Sequence, residues 1–112
     1  MEISFTNTRL ARLCNSEAKL RGEYGPVSAR KIQQRLGELA AAVNLEVMRS
    51  LPGNCHELKQ NMKGLLAISL IGKERLAFKP DHNPSPALED GGLDWSKVTK
   101  IVVVGIGDYH NK

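Results

Sequence analysis

Aromatic side chains make up only 4% of this 112-residue chain. That is too few for the stacking platform on which single-strand nucleic-acid binders seat successive bases. Cysteine is as scarce: Cys14 and Cys55 stand alone, without C-x-x-C spacing. A disulfide scaffold and a structural zinc site are therefore excluded, and both thiols are expected to be reduced and in the core. The longest uncharged apolar run, residues 64–72, falls far short of the roughly 20 residues a membrane span requires. Residues 1–5 open with an acid in place of a basic n-region, so a cytoplasmic protein with no membrane partner is expected. Only three histidines are present, none in H-x-x-x-H or H-x-x-E-H spacing, and no metal or cofactor is expected. Nucleophile-elbow, P-loop and Rossmann patterns are also missing. Gly105-Ile106-Gly107 is a lone G-x-G at a strand end with no helix after it.

What is present points to one folded domain over residues 1–112. The chain is 41% apolar and 25% charged, with a formal net charge of +4, at globular averages and within the size of a single core. The charge is uneven. Residues 51–80 hold Lys59, Lys63, Lys73, Arg75 and Lys79 against Glu57 and Glu74, whereas residues 81–95 hold Asp81, Glu89, Asp90 and Asp94 with no Lys or Arg. Such a basic stretch fits a polyanionic partner, and equally a solubilising surface.

Hydrophobic periodicity predicts a short strand at Glu2-Ile3-Ser4-Phe5 and a helix capped by Asn7 or Thr8. Leu10, Leu13, Cys14, Leu20 and Tyr24 share one arc of that helix, with Glu17 intruding. Gly25-Pro26 is expected to end it and open a second, antiparallel helix. That second helix would bury Ile32, Leu36, Leu39, Ala40, Val43 and Val47 and point Arg35 elsewhere. Leu51-Pro52-Gly53-Asn54 reads as a turn. The period then changes to two: a short strand at residues 56–59, a hairpin of residues 65–71 and 74–79, and a buried-type strand over residues 101–107 closing on Asp108-Tyr109-His110. A three-residue turn at Ile71-Gly72-Lys73 would group Leu66, Ile68 and Leu70 with Leu76 and Phe78, leaving Ser69, Arg75, Ala77 and Lys79 facing solvent. Residues 81–95, rich in Pro and Gly, form an irregular acidic excursion. The fold class is α+β: an N-terminal strand and a two-helix hairpin packed on a twisted antiparallel sheet of about four strands.

One reaction fits this inventory without a metal. RNA cleavage needs a base for the 2′-hydroxyl proton, an acid for the departing 5′-oxygen and positive charge around a phosphorane. His56 or His110 can exchange the protons near neutrality, Asp108 would share a strand face with His110, and Lys59, Lys63 and Arg75 can supply the charge.

Several short motifs occur in a fixed order: Leu10-Ala11-Arg12-Leu13-Cys14, Tyr24-Gly25, Leu51-Pro52-Gly53, His56-Glu57-Leu58-Lys59, Lys63-Gly64, Ile68-Ser69-Leu70-Ile71-Gly72, Arg75-Leu76-Ala77-Phe78, residues 91–98, and Asp108-Tyr109-His110. Together they resemble the RelE/ParE superfamily of toxins from type II toxin–antitoxin modules, most of all its HigB-like, or plasmid maintenance killer, branch. The resemblance implies a ribosome-dependent endoribonuclease, or mRNA interferase, that cuts mRNA and inhibits translation. It also implies a helix-turn-helix, HigA-like antitoxin as partner, and operator DNA reached through that antitoxin. Carried over by position, His110, His56, Asp108, Tyr109, Arg75 and Lys59 would be catalytic, and Lys59, Lys63, Arg75 and Lys79 would bind RNA phosphates. Ser69 stands where many members have an arginine. The alternative within the same fold is a non-enzymatic protein, either a ParE-like gyrase poison or a decayed toxin that only binds its antitoxin.

Overall fold

The computed structural model describes residues 1–109. The architecture is α+β, a helical layer on one face of a five-stranded mixed sheet. The strands are β1 (Glu2–Phe5), β2 (His56–Glu57), β3 (Leu66–Ser69), β4 (Arg75–Pro80) and β5 (Lys100–Gly107). Their order in the sheet is β1-β5-β4-β3-β2.

The expected antiparallel sheet of about four strands is thus corrected to five. β1 pairs parallel with β5, Glu2 opposite Lys100 and Phe5 opposite Val103, while every other pairing is antiparallel. Period-two alternation reveals that residues 2–5 are extended; it carries no information on a partner almost a hundred residues away.

The helices differ from expectation in a similar way. Asn7 is the cap of α1 (Thr8–Cys14), its Oδ1 accepting from the Leu10 N–H at 2.8 Å. The chain then reverses at Asn15-Ser16, ten residues before the expected Gly25-Pro26. Ser16 accepts from the Lys19 N–H at 3.2 Å and starts α2 (Glu17–Ala41). Glu17, an intruder on a continuous helix, is the favourable first-turn acid of a new one. The hairpin is α1 against the first part of α2, clasped by Arg9 and Glu23 at 2.8 Å. At Gly25, φ +84°, α2 consists of two helical pieces that meet across a kink, so a helix does end and another open at Gly25-Pro26 as expected; glycine adopts this conformation without penalty.

Within α2 the buried stripe is Ser28, Ala29, Ile32, Arg35 and Leu39. Ala40 and Val43 are exposed, contrary to expectation, because the helix ends at Ala41 and the chain turns away. Arg35 takes the place of an apolar core residue. Its Nε donates to the Ser69 carbonyl at 3.1 Å and its Nη1 to Glu38 at 3.0 Å, and it closes over Gly53, whose φ of +114° and missing Cβ give it room.

A 3-10 helix, Leu45–Ser50, buries Leu45 and Met48 and leads into the expected turn, where Gly53 and Asn54 both have positive φ. The β3–β4 turn is the three-residue one: Leu70 and Glu74 close it, and Leu66, Ile68 and Ser69 oppose Phe78, Leu76 and Arg75. Residues 81–94 are irregular as expected, apart from a bridge between Ala87 and Leu93. The segment is anchored by Trp95, buried beneath the Arg49 guanidinium at 3.8 Å, with its indole N–H donating to Glu57 at 3.1 Å. No helix among the described residues is long and apolar enough to cross a membrane.

Candidate functional site

The helices cover one face of the sheet, and the residues that alternate with the core stand on the other. β3 and β4 send Leu66, Ile68, Leu76 and Phe78 into the core, so Ala67, Ser69, Arg75, Ala77 and Lys79 lie on the far face. Strand register extends that face sideways. His56 pairs with Ala67, Ala67 with Ala77, and Ala77 with Gly105, making one row across four strands; Ser69, Arg75 and Gly107 form the next row.

A bulge in β5 makes the last positions possible. Ala77 opposes Gly105 and Phe78 opposes Val103, so Val104 is an extra residue that resets the alternation. Ile106 consequently packs against the core while Gly105 and Gly107 turn to the far face.

The chain leaves β5 at Gly107, and Tyr109 comes back over this face. A Cβ on Gly105 would overlap the Tyr109 hydroxyl oxygen and lie 3.2 Å from Cζ, whereas one on Gly107 would make an ordinary 3.8 Å contact with the ring. The strand ends before Asp108, and the expected sharing of a strand face by Asp108 and His110 involves a residue outside the described ones. Asp108 is exposed beside the site. His110 lies outside the described residues.

His56 is half-buried, and its Nδ1 is 2.8 Å from the Asn54 carbonyl oxygen. A carbonyl can only accept, so Nδ1 donates and the lone pair of the neutral ring sits on Nε2. By strand spacing His56 and Gly105 stand about 14 Å apart along their row, placing His56 and Tyr109 at opposite sides of the face.

Arg75 is half-buried; its Nη1 donates to the Gly72 carbonyl at 3.1 Å and the Glu74 carbonyl at 2.9 Å, which holds the guanidinium at the hairpin turn. Glu74 is itself tied to α2 by the buried Ser28 hydroxyl at 2.9 Å. Ser28 and Arg35 thus fasten the turn that carries Arg75 at two points. Sequence reasoning missed both; the available signal was a polar residue, Arg35, spaced three and four residues from Ile32 and Leu39.

The other predicted residues are more dispersed. Lys79 is exposed on the far face, four residues and so about 13 Å along β4 from Arg75. Lys59 is exposed at the start of the Gln60–Met62 3-10 turn. Lys63 lines a different surface, a cavity of about 490 Å³ between Glu57, Pro80 and the acidic segment at Asp90. Ala77, expected to face solvent, is fully buried, as is Ala67; a methyl group barely rises above the pleat and is shielded by taller neighbours.

The two thiols are no part of a reactive site. Burial pushes Cys14 up to about 11 and Cys55 up to about 12, with Arg49 opposing weakly at Cys55, so both are protonated at neutral pH and poor nucleophiles. Among the described residues no group of three His, Cys, Asp or Glu side chains is placed to hold a metal ion. The face offers a histidine with its lone pair directed by a backbone contact, a guanidinium, a phenol and a carboxylate, a set suited to proton transfer and charge stabilisation at a phosphate. Compared with protein-family models and with curated proteins, the chain matches none.

Proposed function

We propose that this protein is the toxin of a type II toxin–antitoxin module, a HigB-like member of the RelE/ParE superfamily that cleaves mRNA on the translating ribosome and is held in check by a helix-turn-helix antitoxin. The observation that carries this reading is the placement of His56, Arg75 and Tyr109, drawn from three distant segments, on one sheet face, opposite the helices. The order of short motifs along the chain supports it independently.

In this mechanism the RNA 2′-hydroxyl attacks the adjacent phosphorus and the P–O5′ bond breaks. His56 or His110 takes the 2′-proton and delivers a proton to the leaving 5′-oxygen. Arg75 stabilises the negative phosphorane, since a guanidinium can meet two of its oxygens at once, while Lys59 and Lys63 hold flanking phosphates of the RNA. Asp108 orients its chain neighbour His110, and Tyr109 packs on a base or polarises the attacking hydroxyl. The chemistry needs no cofactor.

The second reading, a binding protein of the same fold without nuclease activity, is favoured by Ser69. Its side chain adds no charge next to Arg75, its strand partner.

Primer extension on mRNA after induced expression decides between them. Cuts inside translated codons, lost in Arg75→Ala, are expected. Growth arrest with intact transcripts would instead support the binding protein.

A further inference from the structure

Gly105-Ile106-Gly107 is followed by no helix among the described residues and has no part in the chemistry just described, yet the bulge at Val104 turns both glycines onto the catalytic face. Their surroundings differ. At Gly107 a methyl group would meet the Tyr109 ring at 3.8 Å, ordinary van der Waals contact; at Gly105 it would overlap the Tyr109 hydroxyl and lie 3.2 and 3.4 Å from two ring carbons. Neither glycine has a positive φ, so the backbone itself accepts alanine at either position. The group that must yield at 105 is the outer end of one side chain, two residues past the end of β5.

We propose that Gly105 is a positioning residue: its bare α-carbon, presented by the bulge, is the seat that fixes where the Tyr109 ring and hydroxyl lie on the face. Any side chain at 105 lifts the ring from the sheet while leaving the core untouched. The seat also fixes the roles of the two glycines, one obligatory and one replaceable. The effect on cleavage rests on the nuclease reading above; the seat itself does not.

The test compares the full-length parent, Gly105→Ala, Gly107→Ala, Tyr109→Ala and the Gly105→Ala/Tyr109→Ala double variant. Contacts between Tyr109 ring protons and the α-protons of residue 105 are followed by NMR in labelled protein, beside thermal melting and mRNA cleavage on programmed ribosomes. The parent should show the ring contact and Gly105→Ala should lose it, with cleavage falling about 100-fold, the scale of an ångström-sized misplacement. Gly107→Ala should keep the contact and cleave within about threefold of the parent. The double variant should be no worse than Tyr109→Ala alone, since residues acting through one another are not additive.

A Gly105→Ala protein with the parental ring contact, or a double variant whose losses multiply, overturns the proposal. If Gly105→Ala melts early, adding Tyr109→Ala should restore the melting temperature, and failure to do so also overturns it. A parent that cleaves nothing refutes the nuclease reading alone, and the NMR comparison still decides the seat.

Discussion

The two faces of the sheet are made from alternate residues of the same strands and are built to opposite rules. Toward the helices stand Leu66, Ile68, Leu76, Phe78, Ile101 and Val103, none more than 1% exposed. Away from them stand Ala67, Ala77, Gly105 and Gly107, with His56, Ser69, Arg75 and Lys79 among them. Volume and apolar burial hold the first face in place; on the second, small residues make a floor among which a few polar groups stand, the ones assigned the chemistry in the proposed function. Under the proposed function, strand alternation separates stability from activity at the spacing of one residue, and neighbouring substitutions on one strand should fail in different assays.

The sharpest contrast is on β4. Phe78→Ala empties a fully buried site and should cost about 3–5 kcal/mol, read as a lower urea midpoint, enough to leave much of the protein unfolded at 37 °C. Arg35→Ala comes next. It strips the buried partner from the Ser69 carbonyl and from Glu38, and should cost about 1–3 kcal/mol in the same measurement. Arg35→Met, which keeps the stem but not the bonds, should recover only part of it.

Alkaline titration probes the core face with smaller effect. Burial raises the Cys14 and Cys55 thiols from 9.0 to about 11 and about 12, so they ionise first in the unfolded chain. Their contribution is fully present below about pH 9 and declines as pH rises toward 11–12, because unfolding then releases protons. Urea midpoints at pH 8 and pH 10.5 should separate more for the parent than for a Cys14→Ala/Cys55→Ala variant; equal separations would contradict the burial account.

On the far face, changes in stability should be smallest. Arg75→Lys should shift the melting free energy by less than about 0.5 kcal/mol yet reduce mRNA cleavage about 100-fold, the scale of losing one transition-state donor. Ser69→Arg should fold like the parent and cleave at least as well. A Ser69→Arg protein that does not fold would break the assignment of position 69 to this face.

The sequence made the pattern of alternation legible where a strand has one buried face. The three-residue turn at residues 71–73 is preferred by burial over the two-residue turn, which would set Leu70 opposite Arg75 and Ile68 opposite Ala77. It could not show the parallel pairing of β1 with β5, which depends on chain distant in sequence. The break at Asn15-Ser16 was hidden because apolar spacing continues across it, and Glu17 was its one visible sign. Arg35 was misassigned because a charge on an amphipathic helix ordinarily faces water, and its burial is met by a carbonyl on another element. Of the site, Arg75 falls on the expected face by period alone, whereas the face of His56 is set by its pairing with Ala67. The bulge at Val104, which turns Gly105 beneath Tyr109, leaves no local signature beyond the two glycines.

Under the proposed function, the far face cuts RNA. The most direct measurement is cleavage of mRNA on programmed ribosomes by the purified protein, mapped by primer extension, with Arg75→Lys and Phe78→Leu in parallel. Cuts within codons are expected for the parent, with cleavage lowered about 100-fold in Arg75→Lys at unchanged circular dichroism and near-parental cleavage for folded Phe78→Leu. Equal cleavage by the parent and a folded Arg75→Lys, or no cleavage by the parent at all, would contradict it.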